Sequence, residues 1–124
     1  MLSIGIFLSY DVESFHPDIF THGSDSAYPA DRSRGLLPLN LYFAWGVELA
    51  DDHFIDAIKT SAATIAAAAD AEGQNIGDAA LYGNYAVDGT SVDRIYGDNM
   101  PRLQTIKAQY DPDNIMDLAG GWKF

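Results

Sequence analysis

Leu39-Asn-Leu-Tyr-Phe-Ala-Trp-Gly-Val-Glu48, followed after Leu49-Ala50 by Asp51-Asp-His-Phe-Ile-Asp-Ala-Ile and an alanine-rich run to Glu72-Gly73, sets a strand directly before a helix. Successive side chains of a strand alternate between its two sides. Leu39, Leu41, Phe43, Trp45 and Val47 therefore form a core face. Asn40, Tyr42, Ala44, Gly46 and Glu48 form a mixed face, small enough at Ala44 and Gly46 to leave space above it. In the following segment Phe54, Ile58, Ala62, Ile65 and Ala69 recur at helical spacing. Asp51 or Asp52 is placed to cap the start, and Gly73 is a stop signal. The run Ala66–Ala69 lets the helix lie close on a sheet.

Working outward, Leu2 to Tyr10 has the apolar, aromatic composition of a largely buried strand. It lacks a basic leader, is followed at once by Asp11 and Glu13, and is too short to span a bilayer, so a cytoplasmic protein is expected. Glu13 to Leu37 carries Pro17, Gly23, Pro29 and Gly35 and predicts a long loop, with a short helical turn near Pro17 to Phe20. Long irregular segments of this kind often serve as lids or binding loops. Ala80 to Val87 reads as a third strand. Ser91 or Thr90 can cap a short helix through Tyr96. Met100 to Tyr110 fits a further helix, with Pro101 in its first turn, a buried side of Leu103, Ile106 and Tyr110, and Asp111-Pro112 as its end. The expected fold is α+β: a small, largely antiparallel sheet with helices packed on one face, in a single domain over residues 1–124. A sheet of three strands has open edges that need covering, so a homodimer is expected.

Charge narrows the partners. Eighteen acidic against seven basic side chains give a net charge of −11, which argues against nucleic acid and anionic membranes. The chain has no cysteine, hence no disulfide, thiolate nucleophile or cysteine-based zinc site. No phosphate loop, nucleophile elbow or dinucleotide fingerprint is present.

The last third carries an ordered series: Tyr82-Gly-Asn-Tyr85-Ala-Val-Asp88, Tyr96-Gly-Asp-Asn99, Arg102-Leu103 and Tyr110-Asp-Pro-Asp-Asn114. As a set it resembles the C-terminal end of berberine-bridge-enzyme-like FAD-linked oxidases of the fungal type. The resemblance is looser from Ser26-Ala-Tyr-Pro29 through Trp45 to the Asp51-Asp52 helix start. It implies the end of an antiparallel substrate-binding domain whose final helices return to a flavin domain. In the family that flavin domain precedes this segment, and FAD is often tethered there through a His and a Cys. Counted from Met1, the chain is expected to be a truncated relative without that domain.

The resemblance implies site roles as well. The second tyrosine of the motif, here Tyr85, serves in several members as the base that accepts a substrate hydroxyl or phenol proton; Asn84 lies near the flavin ring, with Tyr82 nearby. An ordinary tyrosine, with a pKa of about 10, needs a neighbouring charge or hydrogen bond to act as a base near neutrality. Packing in a sheet with satisfied hydroxyls is the plainer role for both tyrosines. His16 and His22 match no compact metal motif; they read as solvated loop histidines, or as acid–base groups if the loop folds over a pocket. Tyr42, Asn84 and Trp45 are the candidate substrate-binding residues, Tyr42 being the better pocket wall because its face also carries Ala44 and Gly46, while Trp45 also fits the core face. Asp51-Asp52 is explained by helix capping more simply than by a metal. Trp122 and Phe124 either cover an apolar patch or fray, and Gly120-Gly121 reads as a flexible tail.

Three functions follow as expectations. The first is a stand-alone, flavin-independent enzyme of fungal secondary metabolism, with no cofactor, cyclising or isomerising a small apolar metabolite by orientation and Tyr/His hydrogen bonding. The second is a C-terminal piece of an FAD-dependent oxidoreductase, with FAD supplied by a partner chain and Tyr85 as base. The third is a non-catalytic small-molecule-binding module. Fold alone does not choose among them.

Overall fold

The computed structural model describes residues 5–124, and they divide into two compact units. The first comprises residues 5–15 and Leu37–Ala79, and the second comprises His16–Leu36 and Ala80–Phe124. The long loop thus leaves the first unit after one strand and returns for the next. Among the described residues no helix is long and apolar enough to cross a membrane.

In the first unit β1 (Gly5–Val12) and β2 (Leu39–Trp45) pair antiparallel, with Leu8 opposite Phe43, Tyr10 opposite Leu41 and a bulge between Gly5 and Phe7. The expected Leu2–Ile4 part of the first strand lies outside the described residues. Alternation assigns the faces of β2 as its pattern demands. Trp45 lies flat on Phe54 of α1 (Asp51–Ala71), with ring centroids 5.0 Å apart and 6° between planes. Phe43 meets Tyr10, whose hydroxyl reaches Ser61 of the same helix at 3.1 Å. Tyr42 stands on the opposite face against Phe7 at 5.8 Å. The helix therefore packs on one sheet face, and the fold is α+β.

Three local expectations are corrected here. The second strand stops at Trp45, and Glu48–Ala50 forms a 3-10 turn, so Val47 is exposed rather than in the core. Ala62, expected in the apolar stripe of α1, is exposed, and the sheet side carries Ser61 instead. Neither Asp51 nor Asp52 caps α1; the N-cap is Ala50, without a side-chain cap. Both carboxylates sit in the first turn, where the helix dipole favours them, and that of Asp51 accepts the indole N–H of Trp45 at 2.5 Å. The helix ends as read. Gly73 adopts φ 83°, its N–H bonds to Asp70 O at 2.9 Å, and the Gln74 N–H bonds to Ala69 O at 3.0 Å, a Schellman motif. The buried side chains of this unit are Ala50 and Phe54.

The second unit contains α2 (Val92–Tyr96), α3 (Met100–Tyr110) and a 3-10 turn at Ile115–Leu118. Ser91 caps α2 by accepting the Asp93 N–H at 3.3 Å, and Pro101 occupies the first turn of α3, as the sequence predicts. Ala80 to Val87 is not a strand. The Tyr85 and Ala86 N–H groups both fold back on Tyr82 O, at 2.9 and 3.1 Å, because Gly83-Asn84 favours a local turn over an extended run. Residues 17–22 likewise form turns rather than a helix. Ile95 and Met100 are the buried side chains. On α3 Leu103 is half-buried, whereas Ile106 and Tyr110, expected inside, are exposed.

Candidate functional site

The turn Tyr82-Gly83-Asn84-Tyr85 is held from three directions within the second unit. The Leu81 N–H bonds to Arg94 O at 2.8 Å, tying its start to α2. Ile95, which α2 drives inward, lies directly beneath Gly83. From the other end of the unit, Trp122 donates its indole N–H to Gly83 O at 3.0 Å, and Phe124 packs edge-on to Tyr96 at 5.5 Å. The C-terminal residues therefore cover an apolar patch, and the flexible-tail reading of Gly120-Gly121 is corrected.

On this support the phenols cluster. Tyr82 and Tyr85 meet at right angles with centroids 5.0 Å apart. The Asn84 amide donates to the Tyr82 hydroxyl at 2.9 Å, which leaves the Tyr82 proton to be offered elsewhere. Tyr28, from the long loop, packs edge-on against Tyr82 at 5.5 Å and against Phe20 at 5.9 Å. The Tyr28 hydroxyl points at Ala80 O, 3.4 Å away. Its pKa is raised, chiefly by burial and then by the neighbouring Tyr82 phenol, so it stays a proton donor well into the alkaline range.

The loop that carries Tyr28 is pinned by polar contacts. Asn99 donates its amide to Ser26 O at 3.0 Å and to Ala27 O at 3.2 Å. Arg32 donates to Phe20 O and Ser24 O. Asp31 accepts from the Ser33 hydroxyl, the Arg34 guanidinium and the Ser33 N–H, and these bonds hold its carboxyl down at about 2. Beside Tyr28 lies an open depression of about 470 Å³, lined among others by Asp25, Arg32 and Asn99. At the far end of the unit, Asp111 accepts the Ile115 N–H at 2.7 Å and the Met116 N–H at 3.1 Å. The ammonium of Lys123 closes the other end of that 3-10 turn on Met116 O, Asp117 O and Ala119 O.

The residues singled out from sequence separate accordingly. Tyr82, Asn84 and Tyr85 come together. His16 and His22 lie in the same unit but are exposed, and His16 turns its Nδ1 to the Asp18 N–H at 3.2 Å. Among the described residues no hydrogen bond or ring contact joins either histidine to the tyrosines. Tyr42 and Trp45 belong to the first unit, Tyr42 on the open sheet face and Trp45 in the stack with Phe54. Tyr28 carries no site role in the sequence reading; its signal is Tyr28-Pro29, since the residue before a proline is held extended. Among the described residues no group of three acidic or histidine side chains is arranged for a metal.

Residues 75–118 match the family model described as Berberine and berberine like. That stretch is berberine-like. It covers roughly a third of the chain and includes the Tyr82–Tyr85 turn, α2, α3 and the Ile115–Leu118 turn. Tyr28 and Trp122, which hold the berberine-like turn from either side, lie outside it. No curated protein and no solved structure matches the chain.

Proposed function

We propose that this chain supplies the tyrosine-bearing half of a berberine-like oxidoreductase site. A flavin-bearing part, on the same polypeptide or another, would supply the rest. One observation carries the reading: the Tyr82–Tyr85 turn is rigidly supported from behind, yet its phenols are only half-buried, in a unit that also leaves Ile115, Met116 and Leu118 exposed, the last at 89%. Three exposed apolar side chains within four residues form a local patch of the kind a partner covers.

FAD is the group the family implies, and the residues here do not fit the task of holding it. A dinucleotide needs a glycine loop opening a helix, or a cluster of cations, for its phosphates. Among the described residues each α-helix starts otherwise, α1 with Asp51-Asp52, α2 with Val92-Asp93 and α3 with Met100-Pro101. The chain's own contribution is the phenol wall. Tyr85 accepts a hydroxyl or phenol proton from the substrate, and Tyr82, with its oxygen already taken by Asn84, donates.

The test is reconstitution with a berberine-like flavin domain lacking this segment. The expected result is a one-to-one complex that turns over substrate. Tyr85→Phe should leave the complex intact and lower turnover by about 10²–10⁴-fold. Full turnover by Tyr85→Phe removes the base; no complex removes the half-site.

A second reading takes the Tyr82–Tyr85 phenols as the whole of the site, since the depression at Tyr28 is open and lined mainly by polar side chains and makes no apolar pocket of its own. Here the chain cyclises or isomerises an apolar intermediate without flavin. Conversion by the pure, colourless chain would establish it.

A further inference from the structure

We propose that β1 is a self-pairing edge, joining two copies of this chain through a twofold axis at Ser9 into one continuous antiparallel sheet. Among the described residues β1 has a neighbouring strand on one side only, β2. Natural edge strands are blunted by lysine, proline, shortness or a bulge, and the bulge of β1 sits at its start, between Gly5 and Phe7, leaving Phe7–Val12 regular. This one runs eight residues, Gly-Ile-Phe-Leu-Ser-Tyr-Asp-Val, and Asp11 is its single charge. Ile6, Phe7, Leu8, Tyr10 and Val12 are all exposed, Val12 at 81% and Ile6 at 72%. In β2 the corresponding exposure is confined to Tyr42, so the demand for cover falls on β1.

The pattern of β1 selects a second copy as the occupant. Counted from Ser9, apolar residues stand one step away on each side (Leu8, Tyr10) and three steps away on each side (Ile6, Val12). Antiparallel pairing centred on Ser9 therefore sets Leu8 against the partner's Tyr10 and Phe7 against the partner's Asp11 over the regular part of the strand, and the reverse by symmetry, while Ile6 lies in the bulge. Aromatic–aliphatic cross-strand pairs such as Leu8 with the partner's Tyr10 are stabilising. Charge agrees with this register. The two Asp11 carboxylates fall near opposite ends of the seam, about 14 Å apart at the rise and spacing of paired strands. That exceeds the Debye length of about 8–10 Å at ordinary salt. Parallel pairing in register would instead stack Asp11 on the partner's Asp11.

The strands overlap over residues 6–12, about 24 Å, which places the interface at the small end, under about 1,200 Å² in total. The dimer is accordingly concentration-dependent, and salt strengthens it by screening the repulsion between two copies that each carry −11.

The test uses the full chain. Sedimentation velocity over the micromolar range should show a monomer–dimer equilibrium, shifted towards monomer by about tenfold or more in Leu8→Lys, which acts twice across the axis. Leu8 is half-exposed, and an unchanged far-ultraviolet circular dichroism spectrum checks its fold. Independently, Ser9→Cys in this cysteine-free chain should oxidise to a covalent dimer. Opposed strand residues lie about 4.5–5.5 Å apart, within disulfide reach, whereas Asp11→Cys at about 14 Å should not cross-link. A monomer at every concentration overturns the proposal, as does a dimer that ignores Leu8→Lys and leaves Ser9→Cys unlinked, or open-ended growth into fibres. None of these outcomes bears on the reconstitution test, which probes the second unit.

Discussion

Trp122 donates its indole N–H to Gly83 O at 3.0 Å, and a Cβ added at Gly83 would stand 3.0 Å from that same nitrogen and 3.3 Å from Ile95 Cγ2. Gly83 is therefore required for close approach, not for its backbone angles. Ile95 is 1% exposed and cannot yield. Gly83→Ala should destabilise the second unit by about 1–3 kcal/mol, read as a lower urea midpoint.

Trp122→Phe removes the donor while keeping an aromatic ring, and should cost about 0.5–1.5 kcal/mol. The chain has two tryptophans, one in each unit, so the variant's remaining emission comes from Trp45 alone. Amide exchange at Gly83 to Tyr85 should accelerate, while exchange in α1 stays unchanged.

Phe54→Ala removes the ring on which Trp45 is stacked, in a unit whose only other buried residue among those described is Ala50. The expected loss is about 3–5 kcal/mol. Trp45 emission should shift to the red, and the Trp45 bond to Asp51 should not rescue the stack.

Acid should loosen the Tyr28 loop in a defined window. Asp31 titrates at about 2 rather than 3.8, so its contribution to folding is complete above 3.8 and is lost as pH falls towards about 2. Asp31→Asn should abolish that acid limb in a loop-specific probe such as limited proteolysis between Ser24 and Ser33.

Tyr28 sets the opposite limit. Its folded pKa lies above 10.0, so the stabilisation from its buried neutral phenol is complete below 10.0 and is lost as pH rises through the folded value. An ultraviolet titration should show one tyrosine ionising late, and Tyr28→Phe should remove that late step. An unchanged titration curve in the variant would contradict the assignment.

How far the fold was legible depended on whether local rules met competition. The end of α1 was readable because glycine takes the positive φ of the helix stop, at Gly73, without strain, and the faces of β2 because side chains alternate in a paired strand. The start of α1 was not. Asp51 looked like a cap, but an indole six residues earlier claimed its carboxylate, a pairing that no local pattern encodes. Around Tyr82 the aromatic composition suggested a strand, and the Gly83-Asn84 turn prevailed. The tyrosine pair was legible in sequence. Its support was not: Tyr28 lies 54 residues before Tyr82, and Trp122 lies 39 after Gly83.

The Ile115–Leu118 turn has one more consequence. Asp111 fixes its entry and Lys123 its exit, while the Lys107 ammonium bonds the side chain of Asn114, which stands in the left-handed conformation at the start of the turn. Its apolar side chains are thus displayed on a backbone that is already ordered before anything arrives. A partner meeting such a ridge has little chain entropy to remove. Capture should therefore be quick, with an association rate set by encounter and orientation rather than by folding of the ridge.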